Sequence, residues 1–203
     1  MTIVAAFMVV PFALLSFAGT ELLASLVLGE PFVIKPKELA LSLGVVLAVT
    51  FILLQSGYSL VSTSYYAIVY AALASLSACD LRSGYVPNLA LLPLTGAIGL
   101  RIALHAHAFT NIFAVMLLGG CALALHVTGG GASFGLGDVK LLALVGGAFG
   151  AERGVYILGL AFILGSAISI ALIGLGRYSR RDTLPFVPMI GLSALWQSVS
   201  HAH

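Results

Sequence analysis

The sequence predicts an all-α membrane protein that crosses the bilayer about eight times and carries a glycine-rich loop at its cytoplasmic side. Apolar residues make up 61% of the 203-residue chain and charged residues 8%, whereas soluble domains average roughly 45–50% and 25%. Charge-free runs such as 39–79 and 154–176 provide the roughly 20 apolar residues that a spanning helix needs. The remaining charges gather at the ends of such runs, as expected of a protein solvated by lipid.

Eight apolar segments account for the predicted crossings. The run 39–79 is long enough for two spans, and the polar turn Gln55-Ser56-Gly57 divides it. The segment 138–150 is short, but Lys140 near its start can extend its charged end to the interface. The predicted crossings are residues 3–28, 39–56, 60–79, 89–104, 109–127, 138–150, 154–175 and 184–200.

The basic residues set the predicted orientation, because an excess of Lys and Arg marks cytoplasmic loops. With eight crossings and an outside N-terminus, seven basic residues lie on the inside, and Arg101 and Arg153 lie on the outside. The candidate site described below then faces the cytoplasm. The inside residues are Lys35, Lys37, Arg82, Lys140, Arg177, Arg180 and Arg181.

Residues 1–57 are predicted to add two N-terminal crossings to a six-span domain, 58–203, that contains the candidate site. The net charge of +2, without a basic run, gives no reason to expect nucleic-acid binding. Cys79 and Cys121 form no C-x-x-C pair, so no zinc site is expected, and both are predicted to be small core residues.

Two of the seven acidic residues lie where a solvated loop does not explain them. Asp80 ends the third predicted crossing and Asp138 opens the sixth, so both are expected at the same inside face. Two carboxyl groups in a partly dry site share a proton and can activate a water molecule, as in aspartic proteolysis. Asp138 before an apolar run is also a reasonable helix N-cap, and spacing alone leaves both interpretations open.

The segment before Asp138 is too rich in glycine for a packed helix, since five of the nine residues 129–137 are glycine. Such a loop lets backbones approach closely and admits an extended substrate strand. Pro87 is expected to fix the start of the next crossing. Pro185 and Pro188 are expected to interrupt helix hydrogen bonding at the inner face.

Three segments in order resemble the bacterial type IV prepilin peptidases, which are integral-membrane aspartic proteases with a G-x-G-D motif. Residues 80–88 contain the aspartate, a basic residue and a V-P-N entry to the next helix. Residues 135–141 read G-L-G-D-V-K-L, and residues 184–188 read L-P-F-V-P, close to the family's P-F-x-P segment. The resemblance extends over roughly residues 60–195.

This resemblance implies removal of a short basic leader peptide from prepilins or pseudopilins at the cytoplasmic face of the inner membrane. The cut would follow a glycine that precedes the substrate's hydrophobic helix. The matching catalytic residues are Asp80 and Asp138, with no metal or other cofactor. Lys140 is either a substrate or headgroup contact or a snorkelling anchor. The residues assigned to loops or substrate contacts are Gly135, Gly137, Lys140, Pro87, Asn88, Pro185 and Pro188.

The chain departs from the longer members of that family, which carry a cytosolic insert with paired C-x-x-C motifs and also N-methylate the new N-terminus. No such insert occurs in this sequence. The chain therefore resembles the short, peptidase-only members, often linked to tight-adherence pili, and neither methyltransferase activity nor zinc is expected. The family's P-F-G-P is P-F-V-P at residues 185–188, which replaces a glycine.

Helix dipoles predict different roles for the two aspartates. Asp80 ends a helix, where negative charge is disfavoured, so it is expected to hold the shared proton while Asp138 acts as base. His126 near the inner face is either a contact of the site or a satisfied helix-end residue. The His-Ala-His sequences at 105–107 and 201–203 have no third ligand nearby, so they are predicted to be polar interface residues.

Other functional classes fit the sequence less well. A small transporter would show inverted repeats and mid-span acids, but the acids lie at span ends. A non-catalytic scaffold gives no reason for a glycine loop that ends on an aspartate. Presenilin-like proteases share G-x-G-D, but their Tyr-Asp and P-A-L motifs are missing, since Cys79 precedes Asp80 and Phe186 follows Pro185. An archaeal preflagellin-type peptidase is a closer alternative.

Overall fold

The computed structural model describes residues 36–86, 88–104, 108–129, 134–179 and 184–200. Every regular element within these ranges is helical, and one is a short 3₁₀ turn, Asn88–Leu91. The seven α-helices of the described ranges are α1 (Pro36–Gln55), α2 (Leu60–Ser83), α3 (Leu92–Leu104), α4 (Ala108–Thr128), α5 (Leu136–Phe149), α6 (Ala151–Gly174) and α7 (Val187–Ser200).

The predicted crossings from 39–56 onward each correspond to one of these helices, with ends that differ by a few residues. The predicted crossing 3–28 and most of the predicted N-terminal unit lie outside the described residues. Three described helices are long and apolar enough to cross a membrane: Val61–Ser83, Phe109–Thr128 and Ala151–Gly174. The apolar segments Leu43–Gln55 and Asn88–Ala103 are shorter. The helical class is therefore confirmed, whereas the number of eight crossings stays a prediction.

Helix α2 lies at the centre of the described bundle and contacts α1, α3 and α7. Its apolar stretch is 61% buried, whereas those of α4 and α6 are 17% buried and leave most of their apolar surface for lipid. Small residues let neighbouring helices come close to α2, since Ala71, Ala72 and Ser75 are fully buried. The Ser75 hydroxyl donates to the Ala71 carbonyl at 2.9 Å, which satisfies it inside the helix.

Helices α4 and α5 form the closest packing in the bundle, because glycine removes side chains from the contact. A Cβ added at Gly146 would lie 2.4 Å from the carbonyl oxygen of Ala114, so this contact is between backbones. Helix α5 packs in turn on α6, and α6 packs on α7. This chain of contacts brings the N-terminal ends of α5 and α7 to the same end of the bundle as the C-terminal end of α2.

The two cysteines differ in environment. Cys79 is buried as expected, but Cys121 is exposed on α4, so the prediction that both are core residues is wrong for Cys121. Cys121 lies on one of the two helices that leave most of their surface outward, where a small apolar side chain needs no protein partner.

Candidate active site

Both predicted aspartates line one cavity of about 660 Å³. Asp80 comes from the last turn of α2 and Asp138 from the first turn of α5. Gly135 and Pro185, two further residues predicted for the site, also line this cavity, which we call the aspartate cavity. The chain thus brings together two carboxyl groups that are 58 positions apart (138 − 80) in the sequence.

Asp80 is held by the start of α7. The residue is only 7% exposed, and its Oδ2 accepts the backbone N–H of Val187 at 3.0 Å. The backbone of Phe186 provides a second hydrogen bond to the same carboxylate. These donors belong to the unpaired N–H groups at a helix N-terminus, where the helix dipole also favours negative charge. The Pro-Phe-Val-Pro segment therefore contributes its backbone to the site.

The backbone after Asp80 turns sharply out of α2. Gly84 caps the helix in the left-handed conformation, with φ of 60°, and its N–H donates to the Asp80 carbonyl at 2.8 Å. A residue with a side chain is strained at such a φ, so glycine fits this turn. Gly84 also lines the aspartate cavity, which puts the turn directly beside the carboxyl group.

Asp138 is not the N-cap of α5, so the end-cap interpretation in that form is wrong. Gly135 occupies the N-cap position, and Asp138 lies three residues later, where its carboxylate accepts a backbone hydrogen bond from Gly135. This is the reciprocal half of a capping box. A Cβ at Gly135 would lie 3.3 Å from Asp138 Oδ2, so the glycine leaves room beside the carboxyl group.

The electrostatic environment of Asp138 favours a retained proton. Asp138 lies outside the three candidate spans. Burial, and to a smaller extent the charge of Asp80, raise the pKa of Asp138 to about 6, against a lowering by the Gly135 hydrogen bond. A carboxyl group with such a pKa is close to half protonated in mildly acidic solution, and its proton is available for transfer near neutrality.

Two other predicted residues bind each other rather than line the aspartate cavity. Lys140 Nζ donates to Asn88 Oδ1 at 2.8 Å. Close by, a Cβ at Gly137 would lie 3.6 Å from the Cβ of Val86, so the glycine packs against the segment that follows α2. Together these contacts hold the start of α5 against the connection between α2 and α3, and they fix the two aspartate-bearing segments relative to each other. Lys140 is therefore a bridge, which neither predicted role described.

The predicted prolines have different positions. Pro185 lines the aspartate cavity. Pro188 instead lines a separate apolar cavity with Leu81 and Arg82, and its assignment as a substrate-binding or loop residue stays a prediction. Pro188 is the second residue of α7, where a missing N–H costs no helix hydrogen bond. Pro87, the glycines 130–131 and the histidines of 105–107 and 201–203 lie outside the described residues.

One wall of the aspartate cavity was missed by sequence reasoning. Helix α6 contributes Phe162, Gly165, Ser166, Ser169 and Ile170, whose spacing puts them on one helix face. Most hydroxyls in these helices bond to the carbonyl four residues earlier, but within the described part of the chain those of Ser166 and Ser169 have no partner. The sequence signal was available, since Gly-Ser-x-x-Ser interrupts an otherwise apolar span.

Three phenylalanines form the apolar side of the cavity. Phe134, Phe162 and Phe186 pack with ring centroids 5.1–6.1 Å apart. His126 Nδ1 lies 2.5 Å from the carbonyl oxygen of Phe134, so the end of α4 fixes the residue that follows the glycine run. His126 therefore contacts the wall of the site and not its carboxyl groups. Among the described residues no group of three His, Cys, Asp or Glu side chains could hold a metal ion.

The comparisons with known proteins point in one direction. The sequence model of the type IV leader peptidase family matches residues 67–170, just over half of the chain. The chain is also 30% identical over 127 residues to the prepilin leader peptidase/N-methyltransferases of two strains of Burkholderia pseudomallei. That match covers 59% of this chain and 41% of each relative, so the chain spans well under half of their length. No solved structure matches the chain.

Proposed function

The chain belongs to the type IV leader peptidase family, and on that premise we propose that it is a membrane aspartic endopeptidase that removes the short basic leader peptide from prepilins or pseudopilins. The observation that carries the proposal is the pair of carboxyl groups, Asp80 and Asp138, in one cavity. Both are partly withdrawn from water, and one has a pKa raised toward neutrality. Aspartic proteolysis needs this combination of one ionised and one protonated carboxyl group.

The proposed reaction uses one water molecule and one shared proton. The ionised carboxylate takes a proton from the water as its oxygen attacks the scissile carbonyl carbon. The protonated carboxyl group donates its proton to the carbonyl oxygen, and a neutral tetrahedral diol forms. The carboxyl group that took a proton from water then gives it to the amide nitrogen. The C–N bond breaks while the other carboxylate takes a proton from one diol hydroxyl, and the products are a carboxylic acid and an amine.

The dipoles of α2 and α5 predict that Asp80 holds the shared proton and that Asp138 acts as base. The hydrogen bonds favour the reverse assignment. Asp80 accepts backbone N–H groups from Phe186 and Val187, and such bonds stabilise an ionised carboxylate. Asp138 has a pKa raised to about 6. In the proposal Asp80 is therefore the base, and Asp138 carries the proton to the substrate.

The shape of the aspartate cavity suits an extended peptide that enters beside a transmembrane helix. Phe134, Phe162 and Phe186 offer an apolar surface on one side. The hydroxyls of Ser166 and Ser169 on α6 are available to hydrogen-bond a substrate backbone that has left its helix. In the proposal this wall binds the substrate residues that come just before the substrate's hydrophobic helix.

The proposal also covers the orientation of the chain in the membrane and the reactions that it catalyses. The excess of basic residues in one set of loops supports eight crossings of the inner membrane, with the aspartates at the cytoplasmic face. The chain lacks paired C-x-x-C motifs, which supports a peptidase without N-methyltransferase activity, metal or cofactor. An assay that follows leader removal and methyl transfer separately tests whether the chain is a peptidase only.

The decisive experiment measures leader cleavage by the purified full chain on a prepilin in detergent or lipid. Asp80→Asn and Asp138→Asn should each reduce cleavage by roughly 10²–10⁴-fold, the range for loss of a general acid or base. Glu152→Gln is the matched control, because Glu152 is an exposed carboxylate in the first turn of α6. Full cleavage by either aspartate variant, or equal loss in the control, would refute the proposal.

A further inference from the structure

His126 lies in the last turn of α4 and is half-buried, whereas its neighbours Leu125 and Val127 are exposed. Its Nδ1 lies 2.5 Å from the carbonyl oxygen of Phe134, eight positions further along the chain. A carbonyl oxygen can only accept a hydrogen bond, so Nδ1 carries a proton and donates it. The bond therefore ties the end of α4 to the residue that comes directly before the N-cap of α5.

Phe134 is connected to Asp138 through the backbone. The next residue, Gly135, is the N-cap of α5, and its N–H donates to the Asp138 carboxylate. The Gly135 carbonyl oxygen accepts the N–H of Val139 at 3.2 Å, which is part of the first turn of hydrogen bonds in the helix. A shift of Phe134 would therefore move the N–H group that holds the Asp138 carboxyl group.

Phe134 is connected to Asp80 through its side chain. The residue is buried, and its ring centroid lies 5.5 Å from that of Phe186 in an edge-to-face arrangement. The backbone of Phe186 donates a hydrogen bond to the Asp80 carboxylate, beside the N–H of Val187. Phe134 thus contacts the segments that hold both carboxyl groups, one through its backbone and the other through its ring.

The position of Phe134 matters for the chemistry, because a pair of carboxyl groups must act on one water molecule and one carbonyl group at the same time. A misplacement of reacting groups by about 1 Å can cost roughly 10²-fold in rate. His126 is not among the described residues that line the aspartate cavity. Its hydrogen bond therefore affects where the reacting groups lie, without a contact to the substrate.

We propose that His126 is a positioning residue for the aspartate pair. By holding Phe134, it keeps the Gly135 N–H at Asp138 and the Phe186 N–H at Asp80. The inference rests on the proposed function, because it gives His126 a part in the same cleavage reaction. The atom that matters is Nδ1, so asparagine, whose amide nitrogen is also bonded to Cγ, should replace His126, whereas leucine should not.

The kinetic test measures leader cleavage by purified full-chain variants. His126→Leu removes the donor and should lower kcat by roughly tenfold with little change in KM, the pattern of misplaced reacting groups. His126→Asn keeps an N–H at a similar place and should restore most of kcat. Thr128→Val is the matched control, because Thr128 is exposed in the same turn and its hydroxyl donates to carbonyls within α4.

Hydrogen exchange followed by mass spectrometry tests the positioning without a substrate. Peptides that contain the N–H groups of Val139 and Val187 should exchange several-fold faster in His126→Leu than in the unchanged chain. In His126→Asn and Thr128→Val they should exchange at the unchanged rate. Thermal melting reports whether each variant is folded. If His126→Leu does not fold, His126→Gln, whose amide lies one carbon further from the backbone, takes its place.

Three outcomes would overturn the inference. They are unchanged exchange in the variant that lacks the donor, failure of His126→Asn to restore kcat, and a loss of kcat in Thr128→Val as large as that in His126→Leu. An unchanged chain that cleaves no prepilin would instead refute the proposed function. The exchange rates would then still decide whether His126 holds the two segments.

Discussion

The two ends of helix α2 carry opposite chemistry on the same pair of helices. At one end, Asp80 of α2 meets Asp138 of α5. At the other, Tyr65 of α2 packs on Arg101, which bonds to Ala148 of α5. The acid pair lies at the first end and the Arg101 guanidinium at the second, and each end supplies backbone groups of the opposite polarity to that charge.

That difference follows from helix direction. Asp80 accepts N–H groups from the start of α7, whereas Arg101 donates to a carbonyl at the end of α5. Helix N-termini favour anions and helix C-termini favour cations. Backbone groups at each end therefore stabilise the charged side chain that lies there.

The most severe way to break this arrangement is to separate α5 from α4. Gly146→Ala adds a Cβ 2.4 Å from the Ala114 carbonyl oxygen, where backbone must move. We expect the midpoint of thermal unfolding to fall by roughly 10 °C, with loss of cleavage. Gly159→Ala on α6 is the control, since nothing lies within 4 Å of its added Cβ. Similar melting of the two variants would contradict the close contact.

A change of pH tests the acidic end alone. If Asp138 must be protonated, cleavage falls as pH rises through its pKa of about 6. Above that value we expect kcat/KM to fall by about tenfold per pH unit. The measurement is a pH–rate profile of the purified chain, with Arg153→Gln as the control that changes only the other end. A rate that stays constant over roughly pH 5 to 8 would contradict the proposed role of Asp138.

Removal of the acceptor at the start of α7 should destabilise the acidic end. Asp80→Ala leaves the Val187 N–H without its partner in a buried site, whereas Asp80→Asn keeps an acceptor oxygen. We expect Asp80→Ala to melt roughly 5 °C below Asp80→Asn, because an unpaired buried donor costs about 1–3 kcal/mol. Both variants should be inactive. Equal melting temperatures would show that the carboxylate does not hold α7.

The smallest expected effect concerns the bridge beside the site. Lys140→Met and Asn88→Ala each remove the 2.8 Å hydrogen bond between α5 and the 3₁₀ turn. Since the pair is exposed, we expect a two- to fivefold loss of kcat with little change in KM. The double variant should lose no more than either single variant, which a double-mutant cycle measures. Additive losses would show that the two side chains act separately.

The helices and the two key acids could be predicted because both depend on local information. Hydropathy and charge-free length located the segments that became α1 to α7, and the glycine run before Asp138 marked a site. The N-cap assignment failed because it required one particular residue, and Gly135 occupies the N-cap position instead. Element ends depend on a few competing hydrogen bonds, so they are predicted less well than element interiors.

By itself, the sequence determined an all-helical apolar chain. It also predicted that Asp80 and Asp138 form a pair, and it predicted how the basic residues divide between the two membrane faces. Only the tertiary structure decided which contacts complete each end. The Val187 N–H reaches Asp80 across 107 positions, and Arg101 and Arg153 meet in one cavity. The physical reason is that periodicity shows which residues share a face, whereas the rotation and depth of each helix are set by packing against its neighbours.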